Sequence, residues 1–241
     1  MAFSHGKSAV LWLNGIKISQ WLRSITFNPQ SDLAETSVFE TDDKSYIGGM
    51  KSSNLSADGL FDGAASRIDA ILNDILGDQP GAIFTWLPQG NVIGGPMKGM
   101  LGSNTAQHVT AATSDVATVH LEATSNVGHE SGIILEAHAA RTATANGTSV
   151  DQAASSAEGA AAYLQVSAGS PDAGTLNVKV QHSVDNAVWV DLITFTQVAG
   201  TADPTAQRGS ATGTVNRYIR ATWTIAGVTP SFSFLVGFHR A

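Results

Sequence analysis

The sequence predicts a mainly β protein of two domains, and three observations lead to that prediction. Most apolar residues alternate with polar ones in short segments, which is the period of a β-strand. Residues 63–76 instead repeat their apolar side chains at helical spacing, which predicts one amphipathic helix. Residues 138–159 are mostly Ala, Ser, Thr and Gly without a hydrophobic period, which is the composition of a linker. We therefore expect domains over residues 1–137 and 160–241.

The N-terminal domain is predicted to begin with a β-hairpin. Segments Val10–Leu13 and Ile16–Ile18 flank Asn14-Gly15. A two-residue Asn-Gly turn is a strong hairpin signal, because a type I′ turn needs positive φ at both positions. The sequence therefore predicts a tight antiparallel pair at the start of the chain.

A second strand pair is expected to follow this hairpin. Residues 22–27 alternate and are expected to end at Pro29, since proline cannot donate to a sheet ladder. Ala34–Thr41 is predicted as the returning strand. Residues 42–53 have a Gly-Gly pair and no clear period, so they are predicted to form a long exposed loop. The next strand is expected to place Leu55 and Phe61 on one face.

The helix over residues 63–76 has start and stop signals. Asp62 is a candidate cap, and Gly77 lies where a left-handed residue ends many helices. The apolar stripe that we expect to cover a sheet is Ile68, Ile71, Leu72, Ile75 and Leu76. Further strands of this domain are predicted over residues 82–87, 107–112, 116–124 and 132–135, while 91–101 is either a bulged strand or a loop.

The C-terminal domain is predicted to be a small sandwich of the jelly-roll or immunoglobulin-like kind. Five alternating segments follow one another at regular spacing with turn residues between them. These segments are 163–166, 176–180, 188–195, 215–225 and 232–238.

Composition restricts the kinds of function. Charged residues make up only 14% of the chain, which suits a protein whose surface is covered by neighbours. Residues 1–137 hold seven Lys or Arg against fourteen Asp or Glu, so all of the net charge of −7 lies there. Tight binding of nucleic acid is not expected, because phosphate neutralisation needs basic residues. The absence of cysteine excludes disulfides and thiol chemistry.

No candidate active site or metal site emerges from the sequence. The seven histidines form no His-x-His or His-x-x-x-His pair, and the acidic residues lack the rhythm of a calcium loop. There is no Gly-x-Ser-x-Gly elbow and no phosphate-binding loop. We expect a protein that is not an enzyme and that needs no cofactor. The N-terminus lacks the pattern of a signal peptide, and no apolar run has the length of a membrane span.

The order of five segments resembles the tail tube (major tail) proteins of long-tailed, siphovirus-like bacteriophages. Together the five cover most of the chain. They are residues 10–19, 44–63, 128–138, 174–198 and 213–240.

This resemblance implies a structural virion protein. Its first domain would be a β-barrel or sandwich flanked by one helix, and six copies would form rings that stack into the tail tube. DNA would pass through the tube during ejection without tight binding. The implied partners are further copies of the chain and the tape measure, tail terminator and distal tail proteins. The implied location is the virion tail, assembled in the host cytoplasm. The matching inter-ring contact residues are Asp42, Asp43, Lys44, Tyr46, Ile47 and Met50.

The second domain resembles the outward-facing decoration domains of some tail tubes. Four of its residues form a candidate ligand patch, with the packing of arginine stems against aromatic rings as the simpler interpretation. These residues are Trp189, Arg217, Tyr218 and Arg220. The alternative function is therefore a carbohydrate-binding or decoration module on a capsid or tail surface, with a glycan of the host surface as ligand.

Overall fold

The computed structural model describes residues 5–39, 42–169, 174–201 and 204–241. These residues form a mainly β fold of antiparallel strands with one α-helix, which confirms the predicted fold class. Within the described ranges, no helix has the length and apolar character needed to span a bilayer. In chain order the elements are β1 (Val10–Leu13), β2 (Ile16–Lys17), β3 (Leu22–Glu35), β4 (Tyr46–Leu60), α1 (Ile68–Asp74), β5 (Ala82–Leu87), β6 (Pro96–Thr110), β7 (Thr118–Ser125), β8 (Glu130–Arg141), β9 (Ala145–Asn146), β10 (Val150–Asp151), β11 (Ala160–Ala168), β12 (Thr175–Ser183), β13 (Val190–Thr194), β14 (Val198–Ala199), β15 (Thr205–Ala211), β16 (Tyr218–Ala226) and β17 (Phe232–Arg240).

The fold divides into two compact units, and both are discontinuous in sequence. Unit 1 comprises Met1–Gln20, Ile83–Gly99 and Glu130–Ala241, and unit 2 comprises Trp21–Ala82 and Met100–His129. The sequence predicted a division at one point of the chain instead. The reason for the difference is that hydrophobic alternation identifies strands without identifying their partners.

Residues 138–159, predicted as a linker, contain paired strands. The end of β8 pairs with β17 as far as Arg141, and β9 and β10 both pair with β16. Strand pairing uses backbone groups, so a run of Ala, Ser and Thr can join a sheet without the apolar alternation that marks a core strand. This segment therefore belongs to the sheets of unit 1.

Unit 1 contains a β-sandwich, as predicted for the C-terminal residues. One sheet has the order β15-β11-β17-β8, and the other has β10-β16-β12-β13. Alternate residues of each strand point into the shared core, where β17 contributes three phenylalanines and β12 contributes aliphatic side chains. Core members include Leu164, Val166, Leu176, Val178, Val180, Ile219, Ala221, Trp223, Phe232, Phe234, Val236 and Phe238.

The opposite faces of β11 and β17 are buried as well. Tyr163 of β11 and Leu235 of β17 pack in a second cluster with Trp12, Leu87 and Met97. The predicted N-terminal hairpin is confirmed, with Leu13 opposite Ile16 across a turn in which Asn14 has φ of 46° and Gly15 has φ of 85°. The first strands of the chain thus share a core with strands near its end.

Unit 2 contains the helix and the longest strand pair. The helix is shorter than predicted, running from Ile68 to Asp74. Ser66 has φ of 61°, which interrupts helical backbone, so Asp62 caps the preceding turn by accepting the N–H of Ala64 at 3.1 Å. The predicted stripe is buried except for Leu76, which is 51% exposed because it lies beyond the end of the helix.

The hairpin β3–β4 differs from the prediction in register and length. Pro29 does not end the strand: it lies opposite Ser53, and β3 continues to Glu35. Among the described strands β3 pairs with β4 alone, and proline is tolerated on such an edge because no second strand needs its missing N–H. The returning strand begins at Tyr46, so residues 46–53 form a strand where a loop was predicted. Glu40 and Thr41 of the predicted return strand lie outside the described residues.

Candidate interaction surfaces

The outer part of the β3–β4 hairpin, residues 28–51, is the first candidate surface, and we call it the arm. Both of its strands are exposed on both faces over residues 28–35 and 46–51. Several large apolar side chains are exposed there, with Met50 at 80%, Leu33 at 66% and Ile47 at 61%. A two-stranded ribbon is only marginally stable in water by itself. Its exposure and apolar content therefore favour contact with another surface.

The strand register distributes these side chains over both faces of the arm. Leu33 is opposite Gly48, and Glu35 is opposite Tyr46. Side chains two apart on a strand share a face, so Tyr46 lies on the face that carries Leu33. Ile47, opposite Ala34, lies on the other face. A bulge follows Gly48, and because Lys51 lies opposite Ser31 on the Leu33 face, its neighbour Met50 lies on the Ile47 face. The two strands of the arm therefore expose two large apolar side chains on each face.

Polar contacts close the tip of the arm. Lys44 forms an exposed ion pair with Glu35 at 3.2 Å. The hydroxyl groups of Thr36 and Ser45 lie 2.9 Å apart, and the Thr36 N–H donates to the Ser45 carbonyl oxygen at 2.8 Å. All six residues predicted for inter-ring contact are exposed and lie at the tip or on β4 of this arm. Their role in contact stays a prediction.

The outer face of the sheet formed by β10, β16, β12 and β13 is the second candidate surface, and we call it the aromatic–arginine face. Arg217 and Tyr218 form one part of it. The guanidinium of Arg217 lies 5.0 Å from the Tyr218 ring centre and donates two hydrogen bonds to Asp151, of 2.7 and 2.6 Å. These bonds lower the pKa of the Asp151 carboxyl to about 2. The charge of Arg217 is thus paired.

Arg220 and Trp189 form the other part of this face. The Arg220 guanidinium lies 4.2 Å from the centre of the Trp189 ring, and its Nε and Nη2 groups donate to Oε1 of Gln181 at 3.0 and 2.8 Å. Gln181 in turn donates from Nε2 to Asp191 at 2.8 Å, and Asp191 is paired with Lys179 at 2.5 Å. The four residues predicted as one patch are therefore arranged as two cation–π pairs.

Sequence reasoning missed the residues that hold these arginines in place. Asp151 falls in the predicted linker, and Gln181 and Asp191 were not singled out. The sequence did carry a signal for Gln181. Lys179 and Gln181 alternate with the buried Val178 and Val180 of β12, which places their side chains on the outer face. Among the described residues, no group of three or more His, Asp or Glu side chains is arranged to hold a metal ion.

Unit 1 also contains two buried ion pairs. Glu136 pairs with Arg141, whose guanidinium lies 5.0 Å from the Trp223 ring and 4.6 Å from the Phe234 ring. Glu130 accepts hydrogen bonds from Arg208 and from the Tyr163 hydroxyl. Burial, together with the neighbouring negative charge of Glu130, raises the pKa of the Tyr163 hydroxyl above its ordinary range. Their burial and mutual pairing identify both groups as structural.

Comparison with known proteins gives similarity in fold alone. No family model matches the chain, and no curated protein matches it. Among solved structures, a chain of the native gene transfer agent virion has 17% identity and a TM-score of 0.44, with 53% of this chain and 97% of that chain covered. A chain of the tail of the empty gene transfer agent particle, solved with C6 symmetry, has 16% identity with the same TM-score and coverage.

A third solved structure is similar over nearly the whole chain. It is the Dit protein of phage SPP1, described as a hub of the adsorption apparatus in phages that infect Gram-positive bacteria. Its identity is 10% and its TM-score 0.40, with 96% of this chain and 99% of that chain covered. At these scores the three similarities assign no function.

Proposed function

We propose that this protein is a structural virion protein of a phage tail, and that its copies join through the arm. The observation that carries the proposal is the exposure of large apolar side chains on both faces of a two-stranded ribbon, Leu33 and Tyr46 on one face and Ile47 and Met50 on the other. Burying such side chains against a neighbour gains about 25 cal/mol per Å² of apolar surface. The low fraction of charged residues and the order of sequence segments support the same role.

The finer form of the proposal is a tail tube subunit. In this form six copies make a ring, rings stack into a tube, and the arm contacts an adjacent subunit or ring. The tape measure, tail terminator and distal tail proteins would contact the same assembly. The excess of acidic residues before position 138 supports passage of DNA without tight binding, because like charges repel the phosphates.

The test uses the full chain and compares two single substitutions. Met50→Asp puts a charge among the exposed apolar side chains of the arm, and Val228→Asp puts the same charge on another exposed apolar position, since Val228 is 92% exposed. Negative-stain microscopy and light scattering of concentrated protein should show rings or tubes for the wild type and for V228D. M50D should stay monomeric with an unchanged melting temperature.

Two results would contradict the proposal. One is a wild-type chain that stays monomeric at every concentration reached and never occurs in a phage tail. The other is equal assembly by M50D and the wild type, which would remove the arm from the interface.

A further inference from the structure

The charges on the aromatic–arginine face leave one guanidinium without a carboxylate partner. Arg217 is paired with Asp151, and Lys179 is paired with Asp191. Arg220 has no acidic partner within the described parts of the chain, and Gln181, which accepts its two hydrogen bonds, is neutral. Arg220 therefore lacks the direct carboxylate partner that Arg217 and Lys179 have on this face.

Arg220 is held in a fixed orientation, with part of its surface removed from water. Gln181 binds one edge of the guanidinium, and the Trp189 ring covers one of its planar faces. Desolvation lowers the pKa of Arg220. An anion at the remaining N–H groups would offset this cost, and the planar fork of arginine suits the two oxygens of a carboxylate or phosphate.

The turn that carries Trp189 is also ordered before any ligand binds. Asp185 accepts hydrogen bonds from the backbone N–H groups of Ala187 at 3.0 Å and Val188 at 2.9 Å, and from the Ser183 hydroxyl at 2.9 Å. These bonds lower the pKa of the Asp185 carboxyl to about 2, so it accepts them throughout the neutral range. A preformed turn reduces the entropy that binding would otherwise cost.

The surroundings of Arg220 favour a ligand rich in hydroxyl groups. Tyr218 lies two residues away on the same face of β16, so this face carries a second aromatic side chain near Arg220. Neutral amide and hydroxyl groups continue along the face, among them Thr222 with its 2.7 Å hydrogen bond to Asn146. Aromatic rings offer apolar faces to the C–H groups of a sugar, while amides and hydroxyls bind its oxygens.

We propose that Arg220, Trp189 and Gln181 form a binding site for a saccharide that carries an anionic group, with the carboxylate or phosphate on Arg220 and the sugar ring beside Trp189. The site goes beyond the proposed assembly role and does not depend on it. An acidic peptide is less well matched, because it offers few hydroxyl groups to the amides of this face.

The test measures binding of tetragalacturonate to the full chain by calorimetry. The methyl ester of the same tetrasaccharide keeps the sugar and removes the charge, so it tests the need for an anion. Maltotetraose phosphate carries a phosphate group instead of carboxylates, so it distinguishes the two kinds of anion. The expected result is binding of one or both anionic saccharides. Loss of a charge-assisted bidentate contact should weaken binding by at least about tenfold for the methyl ester and for Arg220→Gln.

Arg217→Gln is the matched control, since it removes an equal charge that is already paired on the same face. It should retain the wild-type affinity, and all variants should keep the wild-type melting temperature. M50D should also bind normally, which distinguishes this site from the arm. The proposal would be overturned by equal losses of affinity in R220Q and R217Q, or by no binding of either anionic saccharide. Equally tight binding of hexaglutamate would also overturn it, because that result would indicate an acidic peptide as the ligand.

Discussion

The side chain of Gln165 accepts a hydrogen bond from the backbone N–H of Gly15 at 2.6 Å, across 150 positions of sequence. Its amide group also donates to the Ile83 carbonyl oxygen at 3.1 Å and to the Thr85 hydroxyl at 3.0 Å. One fully buried glutamine of β11 therefore joins the N-terminal hairpin turn and β5 within unit 1. This contact explains why the two ends of the chain share one core.

Replacing Gln165 by Ala should destabilise the protein strongly. The substitution leaves the buried Gly15 N–H and Thr85 hydroxyl without this partner, and each unsatisfied buried group costs about 1–3 kcal/mol. The free energy of unfolding from urea titration should fall by about 2–4 kcal/mol. Gln197→Ala is the control, because Gln197 is exposed and bonds only through its side-chain amide to Asn177. Equal losses of unfolding free energy in the two variants would show that the buried amide contributes no more to stability than the exposed one.

Gly99→Ala should strain the packing around Tyr163. A Cβ atom at position 99 would lie 2.3 Å from the Tyr163 ring, which is fully buried and cannot move away freely. Overpacking of this kind costs about 1–3 kcal/mol, and the melting temperature should fall accordingly. Gly6→Ala in the same unit meets no atom within 4 Å and should leave the melting temperature unchanged. A G99A protein as stable as G6A would contradict the close contact.

Asn104→Ala should loosen the helix from the sheet of unit 2. The Asn104 amide is 2% exposed and donates to the Leu72 carbonyl oxygen of α1 at 3.1 Å. Its loss leaves that buried carbonyl with one partner fewer, and we expect about 1–2 kcal/mol of destabilisation. Hydrogen exchange of the helix amides should accelerate. Asn54→Ala, at an exposed position of β4, should leave both measurements near wild type, and unchanged exchange in N104A would argue against the contact.

The pair His120–Asp58 should make stability depend on pH. Nδ1 of His120 lies 2.7 Å from Asp58, and this hydrogen bond raises the pKa of His120 above 6.5 and lowers that of Asp58 below 3.8. A raised histidine pKa contributes stability that is fully present below the unfolded-state pKa and is lost as the pH rises through the folded-state pKa. The Asp58 contribution is lost only in acid.

Urea unfolding near neutral and mildly acidic pH measures this effect. The relevant quantity is the difference in unfolding free energy between wild type and His120→Gln. The difference should be largest near about pH 5.5 and vanish by about pH 8.5, and it should stay below about 1 kcal/mol because Asp58 is 63% exposed and screened by solvent. Burial lowers the pKa values of His138 and His182, so these groups act in the opposite direction and cancel in the difference. A constant gap across pH would refute the pairing.

Local patterns in the sequence predicted most of the core strands, the Asn14-Gly15 turn and the existence of one helix. These features depend on side-chain period and on backbone preferences at single positions, which a sequence carries directly. The helix bounds were less accurate, because the left-handed backbone at Ser66 has no signal in the residue type.

Tertiary structure decided which strands became neighbours and which side chains found partners. The pairing of β9 and β10 with β16 uses backbone groups that every residue has, so the composition of residues 138–159 gave no sign of it. The exposure of the arm, and the lack of an acidic partner for Arg220 among the residues that the structure describes, likewise depend on contacts between positions far apart in sequence. Long-range register sets these contacts, and local periodicity does not encode it.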